Sequence, residues 1–373
     1  MRILLLTRHY PPAVSGGAKR PYLLAKALRS AGAEVRVCAP SLPEGEPGWA
    51  VPHANRDPSQ AAGKPRRGAR DLAREILLWP DPDIRWCLRA AKTVLADGWK
   101  PDWVLSTSPP ESTHVAGERI ARRTGARWVV DFRDLWLQSP HRRERLRMHR
   151  RLGEKLLARR LLPKADLVIA VDGVVASEAR SLGARRVEVL PHFAPTADNN
   201  QSTDILPAET INVVHAGSIS LSDPEAKIEE LLHLFEAAQS KNAALRLFMV
   251  GRLTNAERDA ITSSRASSAI SMLGIVPLNA AYDYMSSADA LAFVASAKMH
   301  VPPSKITDYL MFDAPIVACG DGPWRKDPRC PLDDPETLMS DLTKGQTRKA
   351  LVRPMRDIEA ADLLLQWMRI GTV

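Results

Sequence analysis

Eleven short apolar runs, unbroken by polar alternation and separated by stretches of helical period, constrain this chain more than any other feature. Six lie in the first half: Ile3 to Leu6, Val35 to Cys38, Trp103 to Leu105, Trp128 to Val130, Leu167 to Val171 and Val187 to Leu190. Five follow a polar stretch rich in Asn and Thr from Thr196 to Thr210: Ile211 to Val214, Leu245 to Val250, Ile270 to Leu273, Leu291 to Val294 and Ile316 to Cys319. A strand with one wet face alternates apolar and polar residues, so a continuous run implies cover on both faces, the condition of a parallel sheet between helices. The strand and helix alternation starts over after the polar stretch. At roughly 150 residues per domain, the expectation is an α/β chain of two doubly wound, Rossmann-like domains, 1–195 and 196–355, facing each other across a cleft. A C-terminal helix within 356–373 is expected to cross back to the first domain. The cleft is the default ligand site.

Composition enters as a set of exclusions. With 45% apolar and 25% charged residues the chain is an ordinary globular one rather than a disordered one. Its longest uncharged apolar stretches, Ile3 to Leu6 and Ala290 to Ala295, fall far short of the roughly 20 residues that span a bilayer. The first of them gives way at once to Thr7, Arg8 and His9, unlike a secretory signal. Cysteines 38, 87, 319 and 330 have neither metal spacing nor disulfide density, so free thiols and a cytoplasmic location are expected. A net charge of +9 suits the phosphates of nucleotides, nucleic acid or anionic lipid. Nucleic acid is not expected as a partner, because the nine Trp residues are not interleaved with the basic clusters as stacking platforms. Residues 41–70, rich in Pro, Gly, Arg and Lys, read as a long surface loop.

Several loops at the carboxyl ends of these strands could carry chemistry. Gly16 and Gly17 precede a helix from about Ala18 to Ala31, where free backbone N–H groups would receive a phosphate; the alternative is a loop that needs Gly for its own conformation. No Gly-x-Gly-x-x-Gly and no P-loop signature is present. Ser106-Thr107-Ser108-Pro109-Pro110 leads to His114 on the next helix. Asp131-Phe132-Arg133-Asp134 follows the strand at Trp128; its carboxylates could position an acceptor hydroxyl or stabilise a cationic sugar, or form a loop ion pair of modest worth. In the second domain Gly251-Arg252 closes a strand, and His300-Val301-Pro302-Pro303-Ser304-Lys305 leads into a helix expected from about Pro303, with Asp308 in its first turns. Pro, Ser and Lys at a helix start suit a diphosphate, and helix-end stabilisation is the plain alternative. Asp81-Pro82-Asp83 has the outline of a metal pair but lies away from the strand ends, and His9, His53, His141, His149 and His192 lack ligand spacing; no metal is expected. Residues 141–162 combine nine Arg or Lys with Leu146, Leu152, Leu156, Leu157 and Leu161, a basic amphipathic helix that either packs on its own domain or meets anionic lipid.

In order along the chain these motifs resemble glycosyltransferase family 4, a group of GT-B enzymes. The resemblance is carried by Tyr10-Pro11-Pro12 through Gly16-Gly17 and Thr107-Ser108-Pro109-Pro110, then by Asp131-Phe132-Arg133-Asp134-Leu135-Trp136 and Ala165-Asp166-Leu167. In the second half it continues through Gly217-Ser218, Gly251-Arg252 and Pro303-Ser304-Lys305. It implies a retaining transferase that uses a nucleoside diphosphate sugar as substrate and no cofactor. The family's donor signature, a Glu, seven residues and a second Glu, corresponds here to His300 and Asp308. Arg133 stands where a donor-facing His is common, as in a subset similar to Arg-Asp-Leu-Trp enzymes of surface polysaccharide assembly. The resemblance thus implies Asp131, Arg133, Asp134 and His300 as catalytic candidates and Gly16, Gly17, Lys227, Arg252, Ser304, Lys305 and Asp308 at the donor. His114 is assigned to the acceptor, a sugar or a lipid-linked one, with an anionic membrane surface on the inner face of the plasma membrane as a further partner. Two other readings stand beside it: a GT-B scaffold that binds a partner without chemistry, and a nucleotide-sugar epimerase.

Overall fold

The computed structural model describes residues 1–13, 16–53, 79–137, 148–196, 205–299, 304–326, 334–344 and 353–370. They fall into two compact units, Met1–Pro195 with Met355–Val373, and Thr196–Pro354.

The first unit runs β1 (Arg2–Leu6), α1 (Gly16–Ser30), β2 (Glu34–Ala39), β3 (Gly48–Ala50), α2 (Ile84–Asp97), β4 (Trp103–Ser108), α3 (Ser112–Thr124), β5 (Arg127–Phe132), α4 (Met148–Leu161), β6 (Leu167–Ala170), α5 (Gly173–Ser181) and β7 (Val187–Val189). Its strands pair in the order β3-β2-β1-β4-β5-β6-β7, with Ile3 opposite Val35 on one side and Trp103 on the other. The reason for the unbroken apolar runs is visible in β1. Leu4 and Leu6 pack into one buried cluster with Trp86, Trp128 and Ile120. Ile3 and Leu5 pack into a second with Leu24, Leu28 and Val129. Alternate side chains enter opposite layers, so no position is left for a polar residue.

The second unit runs β8 (Ile211–Ala216), α6 (Ile228–Gln239), β9 (Leu245–Val250), α7 (Asn255–Ser263), β10 (Ile270–Gly274), α8 (Leu278–Ser286), β11 (Ala290–Val294), α9 (Lys305–Tyr309), β12 (Ile316–Cys319) and α10 (Pro335–Thr343). Its sheet has the order β10-β9-β8-β11-β12 and is again parallel and covered on both faces. The α/β expectation holds for both sheets. The last helix, α11 (Asp357–Arg369), lies on the first unit: Ala360, Ala361, Leu364, Leu365 and Met368 join the cluster of Leu24 and Leu28. The chain leaves and re-enters that unit side by side, with Ala194 N donating to Met355 O and Asp357 N to Ala194 O, both 2.9 Å.

Three expectations are corrected. The loop at 41–70 holds β3, paired in parallel with β2; an edge strand of three residues with Gly at its head carries no apolar run. Residues 54–70 of that loop lie outside the described residues. α1 begins at Gly16 rather than Ala18, and α9 begins at Lys305 rather than near Pro303, ending at Tyr309. A helix this short has little macrodipole, so any anion there depends on side chains rather than on the helix end.

Candidate functional site

In the first unit the candidate residues gather at the carboxyl ends of β1, β4 and β5, and most serve the architecture. Asp131 is buried and takes bonds from Arg20 at 3.0 to 3.3 Å and from Thr107 Oγ1 at 2.8 Å. Arg20 spends its other donors on the carbonyls of Leu190 and Pro191 and lies 5.0 Å over the Phe193 ring. The expected loop ion pair of modest worth is therefore a buried one that joins α1, β5 and the chain beyond β7. Arg133 is equally committed: its guanidinium donates to the carbonyls of Ser108 (2.7 Å), Pro109 (3.1 Å) and Gly17. Two backbone segments, Ser108-Pro109 and Gly17, are stapled by one planar fork. Burial, offset by Asp131, holds its pKa down at about 10. Asp134 is exposed and accepts from the Leu135 amide at 2.8 Å.

Two histidines trade places relative to expectation. His114, assigned to an acceptor, is fully buried on α3. Its Nδ1 meets Ser106 Oγ at 2.9 Å and its ring stands edge-on to Phe132, with centroids 5.1 Å apart. Burial pushes its pKa to about 3 and keeps it neutral, so it is a packing residue out of reach of any acceptor. His9 lies three residues beyond the end of β1, half-buried, and faces Gly17 with Arg133: a side chain built on Gly17 would come within 3.3 Å of both. Burial and the charge of Arg133 lower the His9 pKa to about 4. His9 is thus the ionisable ring in this corner that sequence reasoning passed over. The available signal was its position just beyond a buried strand and before Pro11-Pro12. The Asp81-Pro82-Asp83 carboxylates are likewise used locally. Asp81 accepts from the amide and hydroxyl of Ser112 at the start of α3, and Asp83 from Arg8 and His53.

The second unit brings together the loops after β8 and β9 and the start of α9. Gly251, at φ 131°, lies so close to Gly217 that a Cβ there would sit 2.5 Å from the Gly217 carbonyl oxygen. Only glycine fits. Beside Gly217, Lys305 Nζ donates to the Ser218 carbonyl at 2.9 Å. Burial lowers its pKa to about 8, with Glu257 and Asp223 acting against the fall. Those carboxylates are themselves bound. Glu257 accepts from the amides and hydroxyls of Ser220 and Thr254 at 2.6 to 2.9 Å, and Asp223 from the amide and hydroxyl of Ser296. Burial disfavours the Glu257 charge, but these four donors outweigh it and hold its pKa below the usual range. His215 is buried with Nδ1 at 2.9 Å from the Ala292 carbonyl, and burial and Lys305 keep it neutral. Asp308 takes the Tyr282 hydroxyl at 3.3 Å.

Ser304 is exposed and caps α9 without a side-chain bond. Lys227 and Arg252 are exposed in the flanking loops, and among the described residues neither side chain has a bonded partner. The structure therefore joins Lys305 to Gly217, Ser218 and Gly251, with Lys227, Arg252, Ser304 and Asp308 on neighbouring segments. His300 lies outside the described residues, as does Pro303. Among the described residues no cluster of three His, Cys, Asp or Glu could hold a metal, and no helix is long and apolar enough to cross a membrane.

Residues 15–192 match the family described as a glycosyl transferase 4-like domain. No curated protein matches the chain. Solved structures share its fold over nearly the whole length. Sucrose-phosphate synthase from Thermosynechococcus elongatus aligns over 99% of this chain and 96% of its own, at 14% identity and a TM-score of 0.57. A protein of Listeria monocytogenes assigned as a UDP-N-acetylglucosamine 2-epimerase aligns over 99% and 95%, at 9% identity and 0.55. The lipopolysaccharide outer core galactosyltransferase WaaB, in its apo form, aligns over 99% and 99%, at 11% identity and 0.55. The fold is that of the GT-B glycosyltransferases.

Proposed function

We propose that this chain, whose residues 15–192 form a glycosyl transferase 4-like domain, moves a sugar from a nucleoside diphosphate sugar to an acceptor hydroxyl with retention at the anomeric carbon. The observation that carries the reading is Lys305. Its ammonium is held in place by one carbonyl, that of Ser218, beside a pair of glycines that keep the backbone open. Its two remaining protons have no bonded partner among the described residues. A cation desolvated in this way is stabilised by an arriving anion, most of all by the charge that develops on a departing diphosphate. One preorganised donor of that kind contributes about 3 kcal/mol to a transition state. Arg252 and Lys227 supply further positive charge from the adjoining loops, and the ribose hydroxyl is assigned to Asp308, whose carboxylate also takes the Tyr282 hydroxyl.

In this scheme the sugar passes through an oxocarbenium-like state and the counter-charge comes from side chains, so we expect no requirement for a divalent ion. Arg133 and Asp131 act by positioning, because their polar atoms are taken up by backbone carbonyls and by Arg20. The order of the sequence motifs supports retention and a place in surface polysaccharide or glycolipid assembly, in the cytoplasm at the inner face of the plasma membrane. The acceptor is a sugar or a lipid-linked sugar.

The test is a panel of nucleoside diphosphate sugars screened by thermal shift, followed by transfer assays with excess EDTA and analysis of the anomer formed. Donor binding and chelator-resistant transfer with retention support the proposal; activity lost with EDTA and restored by magnesium or manganese refutes the metal-free scheme. The fold shared with the Listeria protein favours epimerisation as a second reading. A new sugar nucleotide formed with no acceptor present would decide for it.

A further inference from the structure

α4 presents to solvent a face that its own fold does not explain. Its inward side is formed by Glu154, Ala158 and Leu161, all buried, with Leu157 half-buried against the same core. Its outward side consists of Arg151, Leu152, Lys155, Leu156, Arg159 and Arg160, all exposed. At about 100° of turn per residue, Leu152 and Leu156 form a central stripe, with Arg151, Lys155 and Arg159 along one edge and Arg160 along the other. The two leucines are each 59% exposed. Of the two readings the sequence left open, packing on its own domain accounts for Leu157 and Leu161 and not for Leu152 and Leu156. Beside them Trp79, 38% exposed, lies along the helix where Gly153 leaves room: a Cβ at Gly153 would be 3.3 Å from its indole nitrogen.

The charges are equally uncommitted. Among the described residues none of the side chains of Arg151, Lys155, Arg159 and Arg160 has an ion pair or hydrogen bond, and the one carboxylate of residues 151–161, Glu154, points inward. Of the nearby cations, Lys164 is paired with Glu118 and Arg127 with Asp166.

We infer that this face of α4, with Trp79, docks on an anionic phospholipid bilayer. An apolar stripe flanked by cations is what such an interface takes up: the leucines enter the acyl boundary, the long basic side chains snorkel to the headgroups, and an indole sits at headgroup level. A nucleic acid would use the cations but leave the leucines without a role. The inference does not depend on the proposed reaction, and its test needs neither donor nor acceptor.

The full chain is sedimented with vesicles of phosphatidylcholine alone and of equal parts phosphatidylcholine and phosphatidylglycerol, at low and high salt. The expected result is binding to the anionic vesicles only, weakening as salt rises. Lys155→Gln with Arg159→Gln should lower it by about fivefold per cation removed. Leu152→Ser with Leu156→Ser should lower it by about tenfold, with the melting temperature of each double variant unchanged because all four side chains are exposed. Equal binding to neutral vesicles, or binding that survives both double variants, would overturn the inference. So would an oligonucleotide bound as tightly as the anionic vesicles and indifferent to the leucine substitutions.

Discussion

The titration of Lys305 gives the sharpest handle on the donor site. In the free protein its pKa is lowered to about 8 by burial, so at pH 7 about nine molecules in ten carry the charge and at pH 9 about one in ten. A bound diphosphate raises that pKa, since a nearby opposite charge favours the ammonium. If the charged form alone binds, affinity for a nucleoside diphosphate should be nearly flat from pH 7 to 8. Above that it should fall toward a slope of about tenfold per pH unit, a loss of about tenfold between pH 7 and 9. Lys305→Ala should remove the slope and lower affinity at pH 7 by roughly 1.5 to 3 kcal/mol, the worth of a charge-assisted hydrogen bond. Lys305→Arg should restore part of the affinity without the slope. Isothermal titration calorimetry of the three proteins across this range reads both quantities. The sign for stability is the opposite: the unfolded chain holds the Lys305 proton more tightly than the folded one, so this group makes unliganded protein gain stability from about pH 8 upward. A descending affinity profile that persists in Lys305→Ala would place the diphosphate elsewhere.

Three further outcomes follow from geometry already described. Asp131→Asn leaves Arg20 buried without its counter-charge and should cost about 3–5 kcal/mol, whereas Asp102→Asn, which breaks an exposed pair with Arg2, should cost about 1 kcal/mol or less; similar shifts in urea midpoint for the two would contradict the assignment. Below pH 6.5 the unfolded chain takes up a proton that folded His114 refuses down to about 3, so acid destabilises the wild type. His114→Leu should flatten the dependence by about 1.4 kcal/mol per pH unit, while Ser106 Oγ keeps its bond from Trp128; parallel pH curves for the two proteins would show His114 to be protonated in the folded state. Gly251→Ala forces a strained φ and a collision with Gly217, and a loss of about 2–3 kcal/mol should appear in thermal melts; wild-type stability with unchanged donor binding would mean that the two loops are not in contact.

The sheets were legible because burial on both faces writes itself into consecutive residues, as in Trp103 to Leu105; the same strand continues through Ser106, Thr107 and Ser108, buried but polar, and that half was not legible. β3 was not, since three edge residues need only backbone partners. At the candidate site, Lys305 could be read from its neighbours Ser304 and Asp308, but the destinations of Asp131 and Arg133 could not. Their partners stand 111 and 116 residues away, at Arg20 and Gly17, and no local spacing encodes such contacts. His114 misled for the same reason. A histidine on a helix after a strand looks the same whether it turns outward to a ligand or inward to Phe132.

The return of the chain to its first unit has a consequence for synthesis. Everything from Thr196 to Pro354 is made between two parts of one hydrophobic layer, and Leu24 and Leu28 wait for Ala360, Leu364 and Met368 until the last helix leaves the ribosome. The later unit is therefore a guest carried inside an unfinished host, and a chain that stops before residue 357 leaves that layer uncovered. Because the two junctions, Ala194 and Arg356, lie side by side, the guest could be cut out at the genetic level and the host closed with a short linker.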